Sequence, residues 1–140
     1  KTQSGSSNIM DFKKKFSTNN FVGIKLSDIK MENIDLSGSK LCKSVFSRSI
    51  IINSNFKDSS FCEAFLEEID LTGSDLSYVD FTKTSLEDAI LKKTNLSYAI
   101  LRYADLKDAN LEGANLSYAD LRGANLEGAN LKGANLVGSN

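Results

Sequence analysis

Counting back in fives from Leu136, every fifth residue is Leu, Phe, Ile or Met as far as Phe16, through Leu96, Phe81, Leu66, Phe56, Ile51, Phe46, Met31 and Phe21. These 25 positions keep register without a slip. A period of five fits neither the about 3.6-residue repeat of a helix nor the about 2-residue repeat of a strand. It requires a chain that turns at each repeat, which is the signature of a solenoid. Two residues before most centres the side chain is small: Ala64, Ala89, Ala99, every unit from Ala104 to Ala134, and Ser39, Ser44, Ser49, Ser54 and Ser59 earlier. One large and one small inward residue per unit implies a narrow, close-packed tube. A bulky residue in the small slot is then expected to strain a middle coil. The other three residues of each unit are mostly Asp, Asn, Ser, Lys, Glu and Gly, and should face solvent.

A second period appears among the outward residues. Ser77-Tyr78, Ser97-Tyr98 and Ser117-Tyr118 recur at intervals of twenty. Lys43, Glu63 and Lys83 alternate in sign at that spacing, as do Lys92, Glu112 and Lys132. Cys42 and Cys62 are also twenty apart. Tandem duplication alone would copy residues but would not alternate their charges. Coils of twenty residues stacked at about 4.8 Å make these positions direct neighbours. Opposite charges are then expected to pair, each pair contributing about 0.2–1 kcal/mol. The chain would form about six coils, a rod roughly 30 Å long.

Composition narrows the function classes. The 140 residues suit one domain. Proline and histidine are both absent. The first suits a fold that uses nearly every backbone N–H. The second removes the commonest general base and the commonest transition-metal ligand. No apolar run is long enough to span a membrane, and residues 1–10 lack the apolar stretch of a signal peptide. A start at Lys1 suggests a processed chain or a fragment. Residues 1–12 read as a mobile leader and N-terminal cap, and 13–140 as the repeat domain. Ile24, Ile29 and Ile34 fill three consecutive small slots and, with Met10 and Phe12, read either as a cap that closes the first coil or as a sign that this coil is wider. Residues 1–60 carry ten basic and five acidic side chains, against seven and thirteen in 61–140. The rod should therefore be electrically polar along its axis.

The units Ala124-Asn125-Leu126, Ala129-Asn130-Leu131 and Ala134-Asn135-Leu136 resemble the pentapeptide-repeat family, whose motif is A(D/N)LXX. The resemblance covers about residues 14–140 and is closest from Ala104 onward. It implies an all-β fold, a right-handed quadrilateral parallel β-helix with four repeats per coil. It implies no single function, since some members bind DNA gyrase by imitating DNA and many have no known role.

Outward residues that depart from the motif are the candidate sites. Val45 and Phe65 share one ladder, with Ile50, Ile52 and Ile90 on the adjoining face. An apolar patch of this kind marks a partner or a second copy of the chain. Tyr78, Tyr98 and Tyr118, with Tyr103 on the next face, offer either an aromatic contact surface or a stack that stabilises the rod. Glu68, Asp88 and Asp108 share a ladder beside Glu67, Glu87 and Glu127, relieved by Lys107. This reads as a solvated acidic face, and no metal or cofactor is expected. Cys42 and Cys62 form a candidate redox pair, their Cα atoms expected about 4.8 Å apart, open in a reducing cytosol and able to close on oxidation. Lys13-Lys14-Lys15 is short and lacks interleaved aromatics, so direct nucleic-acid binding is not expected. No nucleophile–base pair is recognisable, and no enzyme activity is expected. The function read from the sequence is a non-catalytic protein-binding or scaffolding solenoid, with a DNA-mimicking gyrase regulator as the alternative. The cytoplasm is favoured as its location.

Overall fold

The computed structural model describes residues 19–140. The leader, Met10, Phe12, Lys13–Lys15 and Phe16 lie outside the described residues. Among the described residues there is no helix. Two short strands, β1 (Lys30–Glu32) and β2 (Ile50–Ile52), pair in parallel, Met31 against Ile51. Isolated parallel bridges continue this pairing, from Asn20↔Lys40 to Asn115↔Asn135. Every bridge joins residues twenty apart, so each coil takes twenty residues, or four of the five-residue units. The chain is a parallel β-helix of stacked coils.

Each unit is built from one short rung and one turn. The core centre donates its N–H to the coil that follows, as Leu41 N does to Ser60 O at 2.7 Å. The residue before it donates backwards, as Phe65 N does to Ser44 O at 2.9 Å. The turn closes when the next small residue bonds the centre's carbonyl, as Ser44 N does to Leu41 O at 3.1 Å. Its third residue must be left-handed, the type II pattern. Among the described residues, sixteen non-glycine residues and eight glycines have positive φ, and all of them stand two places after a core centre. The terminal G of the ANLxG units takes this corner without the Cβ cost that the other side chains bear.

The Asp or Asn of the motif also has a mechanical task. Its Oδ1 accepts the N–H two residues on, across the turn. Asn55 does this for Lys57 at 2.9 Å, Asp80 for Thr82 at 2.9 Å and Asn135 for Val137 at 3.0 Å. The side chain thus caps each corner as an Asx turn does.

The core is the column of centres, with Leu71, Leu76, Leu86 and Leu96 wholly buried. Phe61 is its aromatic hub, stacked on Phe81 at 5.4 Å and touching Phe56 at 5.5 Å and Phe46 at 6.3 Å. Most buried small-slot hydroxyls bond backbone, Ser39 and Ser44 being without a partner. Ser49 Oγ donates to Leu26 O at 2.6 Å and accepts from Ile29 N at 3.2 Å, tying two coils together. Ser59 does the same for Leu36 and Ser39.

Two expectations are corrected. Bulky residues do fit the small slot of middle coils, since Ile69 and Val79 are fully buried there. Each lies between small ladder neighbours, Ser49 and Ala89 for Ile69, Ser59 and Ala99 for Val79, which leave room for the extra methyl groups. In the first coil Ile34 is buried, while Ile24 and Ile29 are half-buried and packed on the core. The alternating-sign ladders stand in register, but among the described residues neither Lys43–Glu63–Lys83 nor Lys92–Glu112–Lys132 forms an ion pair. Exposed lysines gain too little from such contacts to offset the loss of side-chain freedom. The observed pairs all use arginine, whose planar fork is pre-organised for carboxylates.

Candidate functional site

The corner cap supplies a rule for reading the outer walls. Wherever the Asp/Asn slot holds another residue, the chain gives up a turn hydrogen bond, so the replacement needs a reason outside the repeat. Five such slots are apolar: Val45, Ile50, Phe65, Ile90 and Ile100. Phe65 is 50% exposed and Ile50 38%. Val45, Ile52 and Ile90 are half-buried. The structure sets Val45 beside Phe65 as bridge partners. Ile50 and Ile52 share β2, across the Arg48 corner from Val45. Ile90 is not brought to Ile50, because Asp70 bridges both and stands between them. Asp70 itself caps its corner, bonding Thr72 N at 3.0 Å and Thr72 Oγ1 at 2.6 Å. The patch therefore centres on Phe65, Val45 and Ile50, with Ile90 apart.

Ile100 was not singled out from the sequence, yet it is exposed and flanked along the chain by Tyr98 and Tyr103. The empty Asx slot would have found it.

Tyr78, Tyr98 and Tyr118 form one continuous stack, with ring centroids 4.9 Å and 5.1 Å apart and planes within 2° and 14°. Lys57 Nζ sits 5.8 Å from the Tyr78 centroid at one end. At the other, the Tyr118 ring lies against Gly138, where a Cβ would meet Cδ1 at 2.5 Å. Tyr103 covers Gly123 in the same way. All four tyrosines occupy left-handed corners, φ 58–59°. For Tyr78, Tyr98 and Tyr118, stacking offsets that backbone cost. The ring faces are turned into the stack, and what solvent meets is ring edge and hydroxyl.

Glu68, Asp88 and Asp108 stand on successive left-handed corners. Arg48, one coil earlier, is held by Asp28 through two bonds of 2.8 Å and 3.0 Å. Among the described residues no group of three or more His, Cys, Asp or Glu side chains is placed to hold a metal ion. An open depression of about 510 Å³ is lined by Asn33, Asn53, Gly73, Asp35, Asn55 and Asp75. It is polar, and Asn55 and Asp75 already cap corners within it. No described helix is long and apolar enough to cross a membrane.

Asp120 anchors a second charged cluster. Arg122 bonds both its oxygens at 2.9 Å and 2.7 Å, and Arg102 stands at 3.7 Å. The Arg122 side chain holds the Asp120 carboxyl down from 3.8 to about 2. A depressed carboxylate favours the folded state above its ordinary value and loses that contribution as pH falls toward 2. A carboxyl titration by NMR should place Asp120 near 2, and Arg122→Gln should return it toward 3.8. An unmoved midpoint would mean that the pair does not persist in solution.

Cys42 and Cys62 are joined by a disulfide, with Cα atoms 4.6 Å apart. Both residues are half-buried.

A comparison with curated proteins finds no match. Among solved structures, HetL, a pentapeptide repeat protein involved in heterocyst differentiation regulation in Nostoc sp. strain PCC 7120, superposes with a TM-score of 0.55 at 24% identity, over 96% of this chain and 94% of HetL. That likeness speaks to the fold. Rfr23 from the cyanobacterium Cyanothece 51142 is 28% identical over 96% of this chain and 98% of its own, with a TM-score of 0.41. QnrB1, a plasmid-mediated fluoroquinolone resistance protein, is 18% identical over 86% and 85%, with a TM-score of 0.31. The sequence model of pentapeptide repeats matches residues 20–58, 54–92, 74–113, 89–128 and 104–140 in eight copies. With coils of four such units and a left-handed corner after each described centre, this chain belongs to the pentapeptide-repeat family.

Proposed function

We propose that this chain is a non-catalytic protein-binding solenoid whose contact centres on Phe65, with Val45 and Ile50 beside it. In this reading the tube is right-handed and four-sided, about six coils long, and its flat walls serve as the scaffold. One observation carries the reading. Phe65 is an exposed aromatic in a slot where Asp105 and Asn125, on the same ladder, cap their turns, and among the described residues no side-chain oxygen accepts the Glu67 N–H. The fold gains nothing from that exchange, whereas a buried aromatic is a common anchor of protein interfaces. Affinity capture from extracts of the source organism, with the native chain and Phe65→Asn side by side, tests it. A protein or second copy held by the native chain should be retained at least tenfold less by the variant. Equal retention would remove Phe65 from the contact.

The alternative is a DNA-mimicking regulator of DNA gyrase. The strip of Glu67, Glu68, Glu87, Asp88 and Asp108 favours it. A net charge of −1 does not, because mimicry needs a strongly negative rod. A supercoiling assay separates the two: protection of gyrase by this chain would favour mimicry, and no effect would favour the Phe65 contact.

A further inference from the structure

We infer that the Cys42–Cys62 disulfide is a redox-reversible staple that sets the order of the corner carrying Phe65, and through it the affinity of the proposed contact. The second half of this inference rests on the reading of Phe65 as a contact residue; the first half does not.

The argument starts from what is missing at that corner. On this ladder Asn20, Asp80 and Asp120 cap their turns. Ile100 leaves one turn of this ladder uncapped, and the two adjacent turns between Asn20 and Asp80 have Lys40 and Ser60 in the slot, so among the described residues the amides of Cys42 and Cys62 receive no side-chain oxygen. The hydroxyl clamp fails here as well. Ser44 Oγ is buried without a partner, and the next residue on its ladder is Ala64, which has no hydroxyl. Elsewhere Ser49, Ser59 and Ser74 each tie two coils through backbone bonds. Among the described residues, the disulfide is the side-chain tie between the coils at this corner. Both the caps and the clamp are absent where the covalent bond is present.

The tied segments run directly into the patch. Lys43 and Glu63 take the left-handed corner, and three residues after each cysteine come Val45 and Phe65, the bridged pair. Lys43 N bonds Cys62 O at 2.9 Å, and Phe65 N bonds Ser44 O at 2.9 Å. Opening the disulfide leaves those backbone bonds and, beyond Phe65, the Ser47 hydroxyl, which donates to Glu67 Oε2 at 2.8 Å and lies 3.5 Å from Phe65 O. A dithiol reductant accomplishes this by exchange: its two sulfurs form a disulfide, and two electrons and two protons pass to Cys42 and Cys62 as thiols. Neither cysteine is fully buried, which leaves the pair open to such a reagent. A loosened corner must be re-ordered on binding, which weakens the contact.

Residue-resolved amide hydrogen exchange on the unbound protein tests the staple, oxidised, reduced with dithiothreitol, and as Cys42→Ser/Cys62→Ser. Protection at Lys43 and Phe65 should fall at least tenfold on reduction and in the variant, while Leu106 and Leu111 hold theirs. Equal protection in all three would overturn the inference. Capture on the native chain is then compared with and without reductant, with Phe65→Asn as control. Retention that depends on Phe65 and drops on reduction supports the coupling; Phe65-dependent retention that ignores redox state overturns it. Absence of any Phe65-dependent retention overturns the contact reading and the coupling with it, and leaves the exchange result to decide the staple.

Discussion

Replacing Phe61 by Ala should destabilise the chain by about 3–5 kcal/mol, the range for a buried aromatic truncated in a rigid core. Phe61 touches Phe46, Phe56 and Phe81, so its removal opens a void reached from three coils. A solenoid holds together by nearest-neighbour contacts, so damage at one coil weakens the coupling between the segments on either side. Denaturant unfolding of Phe61→Ala should therefore show an earlier transition and a broadened or split one. A loss below about 1 kcal/mol would mean that the coils rearrange around the gap, against the close packing described.

Reduction of the disulfide should have the next largest effect. The loop it closes spans twenty residues, and the chain-entropy account gives about 3 kcal/mol for that length. The native chain should unfold at lower denaturant when reduced. Cys42→Ser/Cys62→Ser should match the reduced chain and ignore reductant. If oxidised and reduced chains unfold at the same midpoint, the bond contributes nothing to the folded state.

The tube was legible because its interior tolerates so little. A centre such as Leu96 or Phe81 has one place to go, and 25 of them in register leave no other fold. Coil length was legible from pairs that must be neighbours: Cys42 and Cys62, expected about 4.8 Å apart from strand spacing, stand at 4.6 Å. Spacing gave the tyrosines' ladder but not their orientation. That follows from the left-handed corner, which aims each ring along the axis onto the next. The meaning of the Asp/Asn slot was hidden too, since a surface Asp looks like any solvated residue until its bond across the turn is seen. Without that bond Ile100 had no reason to stand out. The charge ladders misled because sign and spacing establish proximity, while pairing also depends on side-chain freedom that a sequence does not display. Ile69 and Val79 misled because room inside the tube is shared between neighbouring coils rather than fixed for each.

The account turns on whether Phe65 serves a partner or the fold, and one variant measured two ways decides it. Phe65→Asn restores the missing cap, worth about 0.5–1.5 kcal/mol, and gives up a half-buried ring, worth about 1 kcal/mol. Its unfolding free energy should stay within about 1 kcal/mol of the native chain, while retention of the captured protein or second copy falls at least tenfold. A variant that loses several kcal/mol of stability yet retains its partner as well as the native chain would show Phe65 to be a structural residue and would contradict the account.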